Sequence, residues 1–178
     1  MSSKGSDSGK ALHKEVRFLK GVGPARSEKL ANLDIRTVED LLFHAPRDYE
    51  DRRKITPILD AQRGGKCVIS GQITRPRFRR TRSRYRGMLE VGVQDDSGFI
   101  KLVWFNARRN WASSFPSGKK ITAYGEVDFY EGLQMVAPDY AVGKNPEDSE
   151  KFGIVLPIYP LTEGISQKLM RKIVRRAL

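Results

Sequence analysis

Five short segments between residues 66 and 137 alternate apolar and polar side chains with a period of two. That period is typical of half-buried strands, because successive side chains of a strand point to opposite faces. The segments are residues 68–73, 88–93, 99–105, 121–127 and 133–137. Between the third and the fourth, Asn106 is a candidate N-cap for a short helix that runs to about Phe115. The predicted order is therefore three strands, one helix and two strands.

This order is that of the OB-fold, a small Greek-key barrel. We predict a mainly β fold with some α structure: a five-stranded OB-fold barrel preceded by a short helical segment. In such barrels the nucleic-acid surface includes strands two and three and the loop between strands one and two. Trp104 and Phe105 must face opposite sides of the third strand, so one of them points away from the barrel core or is covered by another segment.

The positive charge of the chain is concentrated in one run. The 178 residues carry 33 Lys and Arg against 21 Asp and Glu, a net charge of +12. Seven arginines and no acid lie between residues 75 and 86, namely Arg75, Arg77, Arg79, Arg80, Arg82, Arg84 and Arg86. A guanidinium binds phosphate through two parallel hydrogen bonds, and Phe78 and Tyr85 within the run add flat faces on which unpaired bases can stack.

The arginine run falls in the predicted loop between strands one and two, so its position and the barrel order both predict a nucleic-acid interface. We predict that its arginines contact DNA phosphates and that its two aromatic residues stack on bases. The alternative is a solvated loop that only aids solubility.

The segment before the barrel is predicted to be helical. Residues 1–15 are rich in Ser, Gly and Lys and predict a disordered tail, whereas residues 16–62 contain helical spacing. Thr37 is a candidate N-cap with Asp40 three residues on, and Pro46 ends the helix that follows.

Gly21 and Gly23 form a turn before a helix, in a pattern that resembles the helix-hairpin-helix motif. Such glycines let backbone N–H groups approach a phosphate at a helix N-terminus, so this is a possible phosphate-binding turn. Alternatively, the turn only fixes the angle between two helices.

Several functions are disfavoured by what the chain contains. Its single cysteine, Cys67, forms no internal disulfide, and its two histidines offer little for metal binding or acid–base catalysis. No paired carboxylates or nucleophile–base pair stands out. No apolar run approaches the roughly 18 residues of a membrane span, and the N-terminus lacks a secretory signal. We therefore expect a cytoplasmic monomer without membrane contact, metal or cofactor.

Five segments resemble, in order, the N-terminal part of the RecG family of bacterial ATP-dependent, branched-DNA helicases: residues 19–24, 37–42, 46–52, 104–106 and 157–167. The resemblance implies an OB-fold wedge domain that splits the arms of stalled replication forks and Holliday junctions during recombination and repair. It also implies base stacking at the branch point by Phe105. Arg109 stands where some relatives have a second aromatic residue, a role that Arg109 or Trp111 would fill.

The resemblance places the motor elsewhere on the polypeptide. No Gly-x-x-x-x-Gly-Lys-Ser/Thr loop occurs here, so the chain is expected to lack ATPase activity, with ATP and Mg²⁺ belonging to the missing helicase lobes. We predict a tail (1–15), a helix-hairpin-helix-like segment (16–62), the wedge domain (63–142) and a connector with a helix leading to the motor (143–178). That amphipathic helix is expected to pack on something outside the chain.

Two other functions fit the same residues. The first is a general OB-fold module for single-stranded DNA or RNA. The second is a protein-interaction domain whose arginines meet an acidic partner or the missing motor lobes.

Overall fold

A computed structural model describes residues 12–80, 87–143 and 151–178. Packing divides the chain into two compact units: one contains the described residues up to Glu50 together with Pro157–Leu178, and the other is Asp51–Leu156. The division predicted from sequence patterns, with boundaries after residues 15, 62 and 142, stays a prediction. The first 11 residues of the predicted tail lie outside the described residues, whereas Glu15 forms a β-bridge with Thr37.

The second unit contains a closed barrel of five strands. They are β2 (Lys66–Arg80), β3 (Gly87–Gln94), β4 (Phe99–Ala107), β5 (Lys120–Phe129) and β6 (Leu133–Val136). Their order is β2-β3-β4-β6-β5, and pairing of β2 with β5 closes the barrel. The β4–β6 pair is parallel and the other pairs are antiparallel. The predicted OB-fold is confirmed.

The barrel core follows the period-two alternation of the strands. Ile100, Leu102 and Trp104 of β4 point inward and join one buried cluster with side chains from the other barrel strands. Leu89 and Val91 of β3 are fully buried in the same cluster. Removal of this apolar surface from water, at about 25 cal/mol per Å², is what stabilises the barrel.

The arginine run begins on a strand and not in a loop, which corrects the prediction. β2 continues through Arg80 and pairs with β3 as far as Arg80 opposite Gly87. The register shifts between Ile73 and Pro76, so the ladder is irregular where proline has no N–H to donate. Residues 75–80 therefore extend the first hairpin beyond the predicted strand.

The segment between β4 and β5 is a 3₁₀ helix, Arg109–Ser114, whose N-cap is Arg108 without a side-chain cap hydrogen bond. The prediction that Asn106 caps it is wrong. Asn106 instead takes a left-handed backbone conformation with φ of 55° inside β4, which asparagine tolerates better than most residues.

Three short strands of four residues each were not predicted from the sequence. β7 (Asp139–Val142) pairs with β5, while β1 (Asp48–Asp51) and β8 (Val155–Ile158) form a separate two-stranded sheet. Two further 3₁₀ turns occupy Val16–Phe18 and Ile58–Asp60.

The first unit is built from three helices, α1 (Pro24–Ala31), α2 (Val38–Phe43) and α3 (Gln167–Ala177). Met170 and Ile173 of α3 share a buried cluster with Leu30 and Leu41. The C-terminal helix thus packs on the N-terminal helices of the same chain, contrary to the expectation that its apolar side would pack outside the chain. Across the described residues, no helix has the length and apolar character of a membrane span.

The predicted N-cap at the start of α2 is confirmed, and Thr37 and Asp40 form a capping box. The Thr37 hydroxyl accepts a hydrogen bond from the Asp40 N–H at 3.1 Å, and the Asp40 carboxylate accepts one from the Thr37 N–H at 2.8 Å. The hydrogen bonds that the Asp40 carboxylate accepts from the N–H groups of Thr37 and Arg36 hold the pKa of Asp40 below its usual range. The box fixes the first residue of α2.

We expect Thr37→Ala to lower the free energy of unfolding by about 1 kcal/mol, because the Asp40 N–H loses its acceptor. Thr37→Ser keeps the hydroxyl and is the matched control, with stability close to that of the unchanged protein. Urea denaturation of the three proteins makes the comparison. Equal losses in both variants would show that the methyl group of Thr37, and not the cap, matters.

Candidate nucleic-acid interface

The β2–β3 ribbon exposes the described arginines of the run. Arg75, Arg77, Arg79 and Arg80 are all exposed to solvent. Arg79 Nε lies 3.2 Å from Oε2 of Glu90 in an ion pair, and Glu90 stands opposite Arg77 in the β2–β3 register. Within the part of the chain that the structure describes, the other three form no ion pair, so most of the positive charge on the ribbon is available to an anion.

Phe78 packs on the barrel with part of its side chain still exposed, and its predicted role in base stacking stays a prediction. It is partly buried against the core cluster and stands opposite the fully buried Leu89. Gly87 leaves room for it: a Cβ at that position would lie 2.8 Å from the Phe78 ring. The remaining predicted contacts of the run, Arg82, Arg84, Tyr85 and Arg86, lie outside the described residues.

Trp104 and Phe105 divide between the two faces of β4, as predicted. Trp104 is only 5% exposed, and its ring packs with those of Trp111, Phe115 and Tyr140 at centroid distances of 5.7, 5.1 and 5.2 Å. The Trp111 indole also donates a hydrogen bond to the Tyr140 hydroxyl at 3.1 Å. Trp111 therefore contributes to the packing of the barrel, and whether it or Arg109 serves as a second stacking residue stays a prediction.

Phe105 lies on the outward face near the C-terminal end of β4 and is 60% exposed. Arg109, the first residue of the 3₁₀ helix, is also exposed. The structure thus places a flat apolar ring and a guanidinium close together in the chain at the end of β4. Both groups can stack on an unpaired base, and the guanidinium can also bind phosphate.

The outward face of β4 carries two further residues that the sequence reasoning missed. Phe99 and Lys101 lie on the same face as Phe105, since all three occupy odd positions of one strand. Phe99 is 50% exposed. A Cβ at Gly92 of β3 would lie 2.8 Å from the Phe99 ring, so the absence of a side chain at Gly92 leaves room for this ring. The same period-two alternation that places Trp104 and Phe105 on opposite faces could have identified Phe99 and Lys101 from the sequence.

Lys101 attaches the β5–β6 turn to this face. Its ammonium donates to the backbone carbonyls of Tyr130 at 2.8 Å and of Glu131 at 3.1 Å. The turn requires left-handed backbone at Glu131 and Gly132, with φ of 50° and 109°. The Tyr130 side chain is 65% exposed beside this attachment.

Asp95 organises the turn from which β4 begins. Its carboxylate accepts hydrogen bonds from the N–H groups of Ser97 and Gly98, each at 2.8 Å, and of Ile58 at 2.9 Å. The Ser97 hydroxyl donates a fourth at 2.6 Å. Burial acts to raise the pKa of Asp95, but these hydrogen bonds outweigh it and lower the pKa.

The Gly21–Gly23 turn of the first unit is held by two arginines. The guanidinium of Arg26 donates to the Gly21 carbonyl and that of Arg176 to the Lys20 carbonyl, both at 2.6 Å. Gly21 has φ of 96°, which favours glycine, whereas Gly23 is the N-cap of α1 in extended backbone. Phosphate binding by this turn stays a prediction.

Comparison with known proteins agrees with this geometry. The RecG wedge domain family model matches residues 15–178. The ATP-dependent DNA helicase RecG of Escherichia coli K12 is 34% identical over 161 residues, and that of Thermotoga maritima 35% identical over 167 residues. A solved structure of RecG bound to a three-way DNA junction superimposes with a TM-score of 0.75 at 36% identity and covers 92% of this chain and 22% of that one.

The chain belongs to the RecG wedge domain family. The matches cover 90% of this chain and 23% of the Escherichia coli helicase, and 91% and 20% for the Thermotoga helicase. The chain therefore spans less than a quarter of the length of these two relatives.

We expect Asp95→Asn to lower the free energy of unfolding at neutral pH by about 1–3 kcal/mol, because charge-assisted hydrogen bonds at the turn are lost. Since the folded-state pKa is lowered, the stabilisation is present above the unfolded pKa of about 3.9 and lost as pH falls through the folded value. Denaturation of both proteins at several pH values measures the difference.

The neighbouring Asp96→Asn is the control for this charge change, because Asp96 is exposed. It should alter stability little at any of these pH values. If the difference between Asp95→Asn and the unchanged protein stayed constant into acid, the carboxylate charge would not be what holds the turn.

Proposed function

We propose that this chain binds branched DNA and splits its arms, as the wedge domain of an ATP-dependent DNA helicase that acts on stalled replication forks and Holliday junctions in recombination and repair. The observation that carries the proposal is the exposed Phe105 ring at the end of β4, on a barrel whose first hairpin is lined with arginines. Similarity to RecG bound to a three-way junction supports it.

The arginines of the first hairpin and the Phe105 ring have separate roles in this mechanism. Guanidinium groups of Arg75, Arg77 and Arg80 bind duplex phosphates, which positions the barrel without reading sequence. Phe105 stacks on the last base exposed where the strands part, and Arg109 contacts the adjacent base or phosphate. An unbranched duplex contacts the arginines but offers no unpaired base to Phe105. The preference for branched DNA therefore comes from the aromatic ring.

The energy for strand separation comes from outside this chain in our proposal. Motor lobes on the same polypeptide bind ATP and Mg²⁺ and pull the duplex against the wedge, in the bacterial cytoplasm. The wedge itself acts as a monomer that holds no cofactor and performs no chemistry. Its part is to bind the branch and to keep the separated strands from pairing again.

We expect duplex affinity to fall with salt, with a slope of log K against log salt near −4 to −5 if about five arginines engage phosphates. Replacing Arg75, Arg77 and Arg80 by alanine should make the slope less steep by about 2–3, at about 0.9 per lost phosphate contact. This variant keeps the Arg79–Glu90 ion pair. Fluorescence anisotropy at several salt concentrations measures the slope.

A matched control removes the same charge elsewhere in the second unit, by replacing the exposed Lys54, Lys66 and Lys119 with alanine. Its slope should stay close to that of the unchanged protein. Equal changes in both variants would mean that only net charge matters and that the ribbon is not the phosphate site.

We expect Phe105→Ala to weaken fork binding by about 1–3 kcal/mol and to leave plain duplex binding nearly unchanged, because one base loses its stacking partner. Anisotropy titrations with a fork, a three-way junction, a duplex and a single strand make the comparison. Equal losses on fork and duplex would contradict the wedge role. A preference for the single strand over the junction would favour a general single-strand module instead.

A further inference from the structure

Every exposed residue of α3 is a cation. The exposed positions of this helix are Lys168, Lys172, Arg175 and Arg176, and we call them the α3 stripe. The helix contains no acidic residue. At 3.6 residues per turn, the four side chains fall within about 100° of one face. They lie opposite Met170 and Ile173, which are buried in the core of the first unit.

Helix stability alone does not explain the α3 stripe. Lys172 follows Lys168 by four residues and Arg176 follows Lys172 by four, and like charges at this spacing destabilise a helix. Lys168 also lies in the first turn, at the positive end of the helix dipole, where a cation is unfavourable. Only Arg175 and Arg176, in the last turn, gain from the dipole. A bound anion would offset the repulsion along the stripe.

The turn at Gly21 adds two cations to one end of the stripe. The Arg176 guanidinium donates to the Lys20 carbonyl at 2.6 Å, and a Cβ at Gly21 would collide with it. The Arg26 guanidinium donates to the Gly21 carbonyl at 2.6 Å. Lys20 and Arg26 are both exposed. The positive surface therefore continues from α3 onto the N-terminal segment of the same unit.

Most of the α3 stripe has no acidic partner. Within the described residues, Lys168, Lys172 and Arg176 form no ion pair, and the carbonyl that Arg176 binds carries no formal charge. Acids of the first unit are paired at other positions, for example Glu15 with Arg17 and Glu39 with His13. The charge of these three cations is therefore available to an anion from outside the unit.

We infer that the α3 stripe is a second DNA surface, on the first unit, that binds the phosphates of a duplex arm. The inference rests on the proposed function in one respect, which is that branched DNA is the ligand. A branch joins several arms, so a second duplex surface has an arm to bind besides the one held by the arginines of the first hairpin. Because the contacts are to phosphates, this binding does not depend on sequence.

The length of the stripe fits a DNA backbone. Lys168 and Arg176 are eight residues apart, which is about 12 Å at 1.5 Å per residue. One DNA strand carries a phosphate every ~3.4 Å of its axis, so the stripe faces about three or four phosphates of one strand. Its cations and the phosphates it faces are thus close to equal in number.

Duplex DNA suits the stripe better than the other polyanions do. No aromatic residue lies among its exposed side chains, so an unpaired base has nothing to stack on. The apolar side of α3 is buried in its own unit, which leaves nothing apolar to enter a lipid surface. An acidic polypeptide has the right sign of charge, but it lacks the density of a duplex, which carries one charge per ~1.7 Å.

The test is the slope of log K against log salt for a three-way junction, measured by fluorescence anisotropy. Replacing Lys168 and Lys172 together by glutamine removes two cations and keeps residues of similar helix propensity. We expect the slope to become less steep by about 2, at ~0.9 per lost phosphate contact. Replacing both by arginine keeps the charge and should keep the slope.

A matched control replaces Lys14 and Arg36 by glutamine, which removes the same charge from exposed positions of the same unit. Its slope should stay close to that of the unchanged protein, and urea denaturation confirms that each variant is folded. An unchanged slope in the Lys168 and Lys172 variant, or an equal change in the control, would overturn the second surface. Loss of polyglutamate binding without loss of junction binding would overturn it too, in favour of an acidic polypeptide.

These titrations separate failure of this inference from failure of the proposed function. If Phe105→Ala weakens only the fork while the slope is insensitive to Lys168 and Lys172, the wedge stands and the second surface is wrong. If Phe105→Ala weakens fork and duplex equally while the glutamine variant has the less steep slope, the wedge role fails and the second surface stands.

Discussion

The inward position of Trp104 determines the geometry of the interface. Its ring is held between those of Trp111, Phe115 and Tyr140 in the barrel core. Because neighbouring residues of a strand face opposite ways, this packing turns Phe105 outward. The exposed ring is therefore fixed by buried contacts on the other side of the same strand. A rigid position matters for stacking, since a mobile ring would lose conformational entropy on binding.

The first hairpin shows how one strand serves both stability and binding. Phe78 packs inward on the barrel opposite Leu89, while Arg77 on the other face of β2 is exposed. Glu90 pairs with Arg79, which places a carboxylate among like charges on the ribbon. The Arg79 side chain is 51% exposed and that of Glu90 17%, so solvent screens the pair and its contribution to stability is small beside that of the inward packing.

The alternation of apolar residues was sufficient to predict the five barrel strands, their OB-fold order and the exposure of one of Trp104 and Phe105. Residue type and spacing at Thr37 and Asp40 predicted the helix cap. The sequence pattern could not predict that β2 continues to Arg80. A run of arginines is typical of a loop, and only the pairing with β3 shows that this one belongs to a strand. The packing of α3 and the buried Arg52, which lies over the Tyr124 ring and binds Asp139, depend on contacts between distant segments. Local patterns carry no information about such contacts.

The central claim, that an unpaired base at the branch stacks on Phe105, is tested most directly by photo-cross-linking. A fork carries 5-iodouracil at the first unpaired position, and irradiation of its complex joins that base to the aromatic ring it contacts. Our account predicts that mass spectrometry finds the link at Phe105, and that moving 5-iodouracil into the paired stem abolishes it. A link that forms equally well from the stem, or only at aromatic residues of the first unit such as Tyr49, would contradict the account.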